Sequence, residues 1–132
     1  MLARFLVPVI LGVGAALPAG ADTISVLREN TLTLAQADGK ATTILIKDGQ
    51  DLEQVNPKGV WAAGFWQIDP LRGFCWTARG EARVCINMPT DLGVGASWDV
   101  AGPTGNIVWK AKIVAGRADL KALSSATRHE GH

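Results

Sequence analysis

The chain has no tyrosine, three phenylalanines, two cysteines and two histidines. Each scarcity removes a class of chemistry. Both histidines, His129 and His132, fall in the final His-Glu-Gly-His, beyond the last segment that patterns as structure. A Ser-His-Asp or Cys-His arrangement needs a histidine fixed by its surroundings, so hydrolysis by such a dyad or triad is not expected. Cys75 and Cys85 form neither the C-x-x-C of a thioredoxin-like redox site nor the C-x-x-C-H of c-type haem attachment. With no histidine inside the predicted domain, two thiols are too few ligands for structural zinc. There is also no G-x-x-x-x-G-K-[ST] phosphate loop and no strand-coupled G-x-G-x-x-G. No catalytic residue, no cofactor and no metal site are therefore expected.

Charge of one sign is missing as well. Lys and Arg number 13 against 12 Asp and Glu, and no basic run or stripe appears. Nucleic acid and anionic membrane surfaces both need concentrated basic residues, so neither is expected as a partner.

One apolar run does stand out. Residues 1–21 carry a basic Arg4, an apolar stretch from Phe5 to Leu17, and the small residues of Pro18-Ala19-Gly20-Ala21. That is the three-part pattern of a signal peptide cleaved before Asp22. The run is too short for a bilayer core of about 30 Å, which needs roughly 20 apolar residues, so no stable membrane span is expected after cleavage. The implied location is the periplasm or outside the cell. An exported chain meets an oxidising compartment, which makes a Cys75–Cys85 disulfide the expected use of the two thiols. Removing the leader leaves 111 residues, enough for one domain with a modest core. The expectation is a single β domain over 22–123 and a disordered tail over 124–132.

What remains reads as strands separated by turns. Thr23 to Arg28 is a candidate first strand. Thr31-Leu32-Thr33-Leu34-Ala35 alternates with period 2, Asp38-Gly39 signals a type I′ hairpin, and Ala41 to Lys47 is the β-branched return strand. Asp48-Gly49 and Asn56-Pro57-Lys58-Gly59 bound a short strand at Leu52 to Val55. Val60 to Asp69 is apolar enough to lie centrally with both faces covered. Gly64 inside it marks a bulge or a close backbone approach. Phe74 to Thr77 and Arg83 to Met88 pair around Arg79-Gly80-Glu81, in a register that brings Cys75 and Cys85 together. Pro89 to Gly95 is a loop. Ala96 to Val100 and Ile107 to Val114 form a hairpin, and Ala118 to Leu123 suits either a short helix or a last strand. The expected fold is all-β and antiparallel: a meander, sandwich or small barrel of about seven or eight short strands with one intrachain disulfide.

Five tryptophans lie between Trp61 and Trp109. An indole offers a flat apolar face and one donor, which suits a core or a ligand platform. Trp66 and Trp98 are assigned to the core. Trp61 and Trp76, closer to turns, are the candidate ligand-binding pair. Asp69, Glu81, Asp91 and Asp99 fall in or beside turns, where carboxylates usually cap the backbone.

Gly64-Phe65-Trp66, followed by Gly73-Phe74-Cys75-Trp76 and Gly80-Glu81-Ala82-Arg83-Val84-Cys85, resembles a pattern in small exported bacterial proteins of uncharacterised function. Their pattern is G-x-W, then C, a Gly-containing turn and C, preceded by a D-G turn such as Asp48-Gly49. The resemblance spans Thr31 to Val114 and implies location and fold, not activity. G-x-W near a cysteine is also similar to small β-barrel periplasmic protease inhibitors, although there the motif lies near the mature N-terminus. The expected role is a non-catalytic binding or interaction protein, with an unknown protein or small-molecule ligand. The alternatives are an inhibitor of a hydrolase such as a lysozyme or protease, presenting Pro89 to Gly95, and an enzyme using carboxylates that the sequence does not locate.

Overall fold

The structure, a computed structural model, describes residues 21–102 and 104–124. Residues 1–20, which hold all but the last residue of the expected leader, lie outside the described residues, as do Pro103 and residues 125–132 with His129 and His132. Eight strands follow one another: β1 Thr31–Ala35, β2 Ala41–Ile46, β3 Asp51–Val55, β4 Trp61–Asp69, β5 Gly73–Ala78, β6 Val84–Ile86, β7 Ser97–Ala101 and β8 Ile107–Val114. They form one sheet in the order β6-β5-β4-β3-β2-β1-β8-β7, with every neighbouring pair antiparallel. The first six strands are the expected meander. The β7–β8 hairpin then returns to the start of the chain, where β8 joins β1 with Leu32 opposite Ile113.

This sheet curls into a nearly closed barrel. Trp76 on β5 and Trp109 on β8 have four strands between them in the sheet, yet their ring centroids lie 6.5 Å apart. The two end strands, β6 and β7, are bridged by a side chain: Trp98 Nε1 donates to the carbonyl of Asn87 at 2.9 Å. Inward positions alternate along each strand, as period 2 requires. Leu32, Leu34, Ile44, Ile46, Leu52, Phe74, Ile86 and Ile113 are each 0–2 % exposed and fill the interior.

The turns explain why the strands stop where they do. At 36–40, Gly39 N donates to Gln36 O at 3.0 Å and Gln36 N to Lys40 O at 2.7 Å, a three-residue loop with Gly39 at φ +89°. A type I′ turn was expected, with positive φ at Asp38 too. The longer loop places the left-handed conformation on glycine alone, where it carries no Cβ penalty. Asn56 to Val60 repeats the bond pattern, with Gly59 at +82°.

One local expectation is corrected and one open choice is settled. Thr23 to Arg28 is not a strand: Ala21–Leu27 is a helix, α1. Thr23, Ile24 and Leu27 fall on one helical face and are 0–8 % exposed, so the helix is placed by tertiary burial. Thr23 Oγ1 donates to Pro89 O at 2.6 Å, and Arg117 Nη1 donates to Leu27 O and Arg28 O at the helix C-terminus and to Ile46 O on β2. Residues 120–124 are helical, which settles the open choice. Asp119 caps them by accepting from Ala122 N at 3.0 Å, and Leu120 packs on Leu45 and Val55 against the outer surface of the sheet. Ser124 is 1 % exposed and belongs to this helix, not to a disordered tail.

β4 also departs from expectation, because its outer face is not fully covered: Trp66 is 7 % exposed and its neighbour Phe65 is 57 % exposed. Gly64 does mark a close approach. A methyl there would collide with the carbonyl oxygen of Thr77 and stand 2.9 Å from the Ala78 Cα. The disulfide joins Cys75 to Cys85, directly opposite in register, and fastens the three-residue β6 to β5.

Replacing both cysteines by alanine removes a ring of about 10 residues and is expected to lower stability by about 2.7 kcal/mol. Urea unfolding of the two proteins measures the difference, and an unchanged midpoint contradicts a structural role for the bridge.

Candidate functional site

Register places two aromatic residues of β4 on opposite sides of the sheet. Trp66 points inward, where its ring stacks on Phe74 at 5.8 Å, while Phe65 points outward. Phe65 stands opposite Asp51 on β3 and Thr77 on β5. One step along the strands, Ala63 stands opposite Glu53, and its carbonyl accepts from Arg79 N at 2.9 Å. The small Ala63 leaves a dip beside the Phe65 ring. Asp51, Ala63, Phe65, Thr77, Arg79 and Glu81 line the resulting open cleft, whose volume is about 430 Å³.

Behind this cleft lies a polar chain that enters the barrel. Gln54 is 2 % exposed, and the inward alternation of β3 places it beside Leu52 in the interior. Its Oε1 accepts from Trp76 Nε1 at 2.8 Å, and its Nε2 donates to the Glu81 carboxylate at 3.1 and 3.2 Å. An indole N–H only donates, so the oxygen of Gln54 must face Trp76 and its nitrogen must face Glu81. Between Trp76 and Gln54 the register runs through Ala78, Gly64 and Leu52, a row small enough at two positions for the indole to reach across. Glu81 itself is exposed at the cleft rim. A surface carboxylate is thus oriented by two groups of the core.

The sequence-predicted ligand pair separates. Trp61 is half-buried on the outer surface, where its Nε1 donates to Glu53 at 3.1 Å and Lys121 lies 5.0 Å over its ring. Trp76 is not exposed: it is 4 % accessible and belongs to the core. Proximity to a turn misled, because inward or outward direction follows strand parity, and Trp76 pairs with the inward Trp66. Trp66 is core as expected, while Trp98 is half-buried at the barrel seam. The Pro89 to Gly95 loop is held on its inner side, with Leu92 N donating to Thr23 Oγ1 at 3.3 Å.

The turn carboxylates have separate duties. Asp69 accepts from Leu71 N and Arg72 N at 2.8 and 3.1 Å and faces Arg83 at 3.4 Å, while Asp99 pairs with Lys110. Glu81 serves Gln54, and Asp91 carries a left-handed φ of 60°. The backbone N–H of Leu71 is the main reason the Asp69 carboxyl is held below its ordinary value. Glu53 is likewise lowered, chiefly by its hydrogen bond with Lys47 at 2.7 Å, and Lys47 is raised by the same bond. Both carboxylates move toward staying ionised, the direction of structural partners rather than of a general acid. Among the described residues, no group of three or more His, Cys, Asp or Glu is placed to hold a metal ion, and no helix is long and apolar enough to cross a membrane.

No family model, curated protein or solved structure matches this chain. The site's own geometry therefore carries the functional reading.

Gln54→Leu leaves the buried Trp76 N–H without its acceptor and is expected to cost roughly 1–3 kcal/mol, read by urea unfolding. A second expectation concerns pH. The folded pKa of Glu53 lies below its ordinary 4.5, so its contribution to stability is present at neutral pH and fades as pH falls through the lowered value. Lys47 is raised above 10.5, so its contribution holds below that pH and fades as pH climbs through the raised value. Glu53→Gln should therefore flatten both limbs of the stability profile measured by thermal unfolding between pH 3 and 11.

Proposed function

We propose that this protein is a non-catalytic binding module, exported to the periplasm or beyond, that holds a small-molecule ligand in the outer cleft over β3, β4 and β5. The observation that carries this is Phe65. A large aromatic ring left 57 % exposed within the sheet, flanked by Asp51, Arg79 and Glu81, combines an apolar platform with convergent polar groups. The leader pattern over 1–21 and the Cys75–Cys85 bridge support an oxidising location, in keeping with the resemblance to small exported proteins that share the G-x-W and paired-cysteine pattern.

A second reading, a protein partner such as a hydrolase, is favoured by a different observation. Leu71 at the β4–β5 tip is 94 % exposed, and Asp69 clamps the turn that presents it. Preorganisation of this kind lowers the entropic cost of association. The tip, rather than Pro89 to Gly95, is the better docking loop.

Amide NMR spectra of the disulfide-intact protein distinguish these readings. Titration with a panel of sugars, amino acids and short peptides is expected to move resonances of Ala63, Phe65, Thr77 and Arg79. Phe65→Ala should abolish that movement while leaving the rest of the spectrum intact. A cleft silent to the whole panel rejects the small-molecule reading. Movement confined to Leu71 and Arg72 on adding a lysozyme or a serine protease favours the second.

A further inference from the structure

We infer that the cleft takes a small zwitterion of amino-acid type, and that Glu81 transmits its presence to Trp76 inside the barrel. The inference rests on the cleft being the binding site and adds the chemistry of its occupant. The cleft presents both signs of charge at separate places. Asp51 lies in the lateral row of Phe65 and Thr77, and Arg79 lies one step along, beyond Ala63. With about 4.8 Å between strands and about 6.8 Å between alternate residues, the Cα atoms of Asp51 and Arg79 stand about 12 Å apart at diagonal corners. Arg79 and Glu81, two residues apart on the turn after β5, bring opposite charges to one end of the cleft, and Asp51 adds a second carboxylate at the far corner.

Each part of such a ligand meets a matching group. Its carboxylate meets the planar fork of Arg79. Its ammonium meets Glu81, and its apolar side chain lies against the Phe65 ring. A neutral sugar would use the ring and the hydrogen-bonding edges but leave the charges uncompensated, and a ligand with one charge would satisfy one side only.

Glu81 is the part of this set with a built support. Both its carboxylate oxygens accept from Gln54 Nε2, and Gln54 is fixed in turn by the Trp76 indole N–H at 2.8 Å. An ammonium that draws the carboxylate outward weakens its bonds to Gln54, and the amide then shifts against the indole. Trp76 also touches Phe74 at 5.5 Å and Trp109 at 6.5 Å, so the change arrives in the aromatic core.

The experiment titrates the disulfide-intact protein with L-leucine, 3-methylbutylamine, 4-methylpentanoic acid and glucose. It follows the cleft amides and the indole N–H resonances by NMR, with indole peaks assigned by Trp→Phe variants. Leucine is expected to move the cleft amides and the Trp76 indole peak together. The amine and the acid should each bind about tenfold or more weakly, as should leucine to Arg79→Gln and to Glu81→Gln. Equal binding of a singly charged analogue, or preferential binding of glucose, overturns the zwitterion assignment while the cleft remains a binding site. Leucine binding with an unmoved Trp76 indole overturns the role of Glu81. Silence of the cleft toward all four probes and the wider panel removes both the occupant and the site.

Discussion

The five residue pairs between β1 and β8 decide what this molecule has as an inside. Thr31 through Ala35 lie against Val114 through Lys110, so the last hairpin is fastened to the first strand. Without that join the chain would be a flat meander with one face of Leu and Ile open to water. With it, the same alternation becomes an enclosed core. The remaining devices act at the margins of that closure. α1 packs Thr23, Ile24 and Leu27 into the core, Arg117 ties its last carbonyls to β2, and Trp98 reaches across the seam to Asn87.

Much of this was legible in the residues. Period-2 alternation in Thr31 to Ala35 and the glycine-containing turns at Gly39, Gly59 and Gly80 mark where strands begin and reverse. The cysteine register follows from the turn between them. The first helix was not legible, for a local reason. Thr23-Ile24-Ser25-Val26 alternates as a strand would, and only packing on the barrel selects the face formed by Thr23, Ile24 and Leu27. Barrel closure was equally hidden, since β1 and β8 pair across some eighty residues of chain.

The site was partly legible, through Phe65 rather than through the tryptophans. Two adjacent aromatics on a strand cannot share a face, so Phe65 beside Trp66 already places one ring outside. Gln54, two residues after Leu52, had to point inward and therefore had to find partners there. Glu81 was identified only as a turn carboxylate, because nothing in one chain's order of residues shows that a turn folds over a buried amide. The tryptophans are the more numerous, yet the exposed ring on β4 belongs to one of the three phenylalanines. Trp76 sits in the core at the inner end of the hydrogen bonds that run through Gln54 to Glu81.

The seam between β6 and β7 leaves this barrel with two strand edges that pair on one side only. They are three and five residues long, and the shorter is held back by the disulfide. Such stubs offer little template for another copy to zip onto, which is the usual hazard of an open sheet. The cross-link that fastens β6 is therefore also a safeguard against self-association, and reducing conditions would expose the molecule to colloidal loss as well as to unfolding.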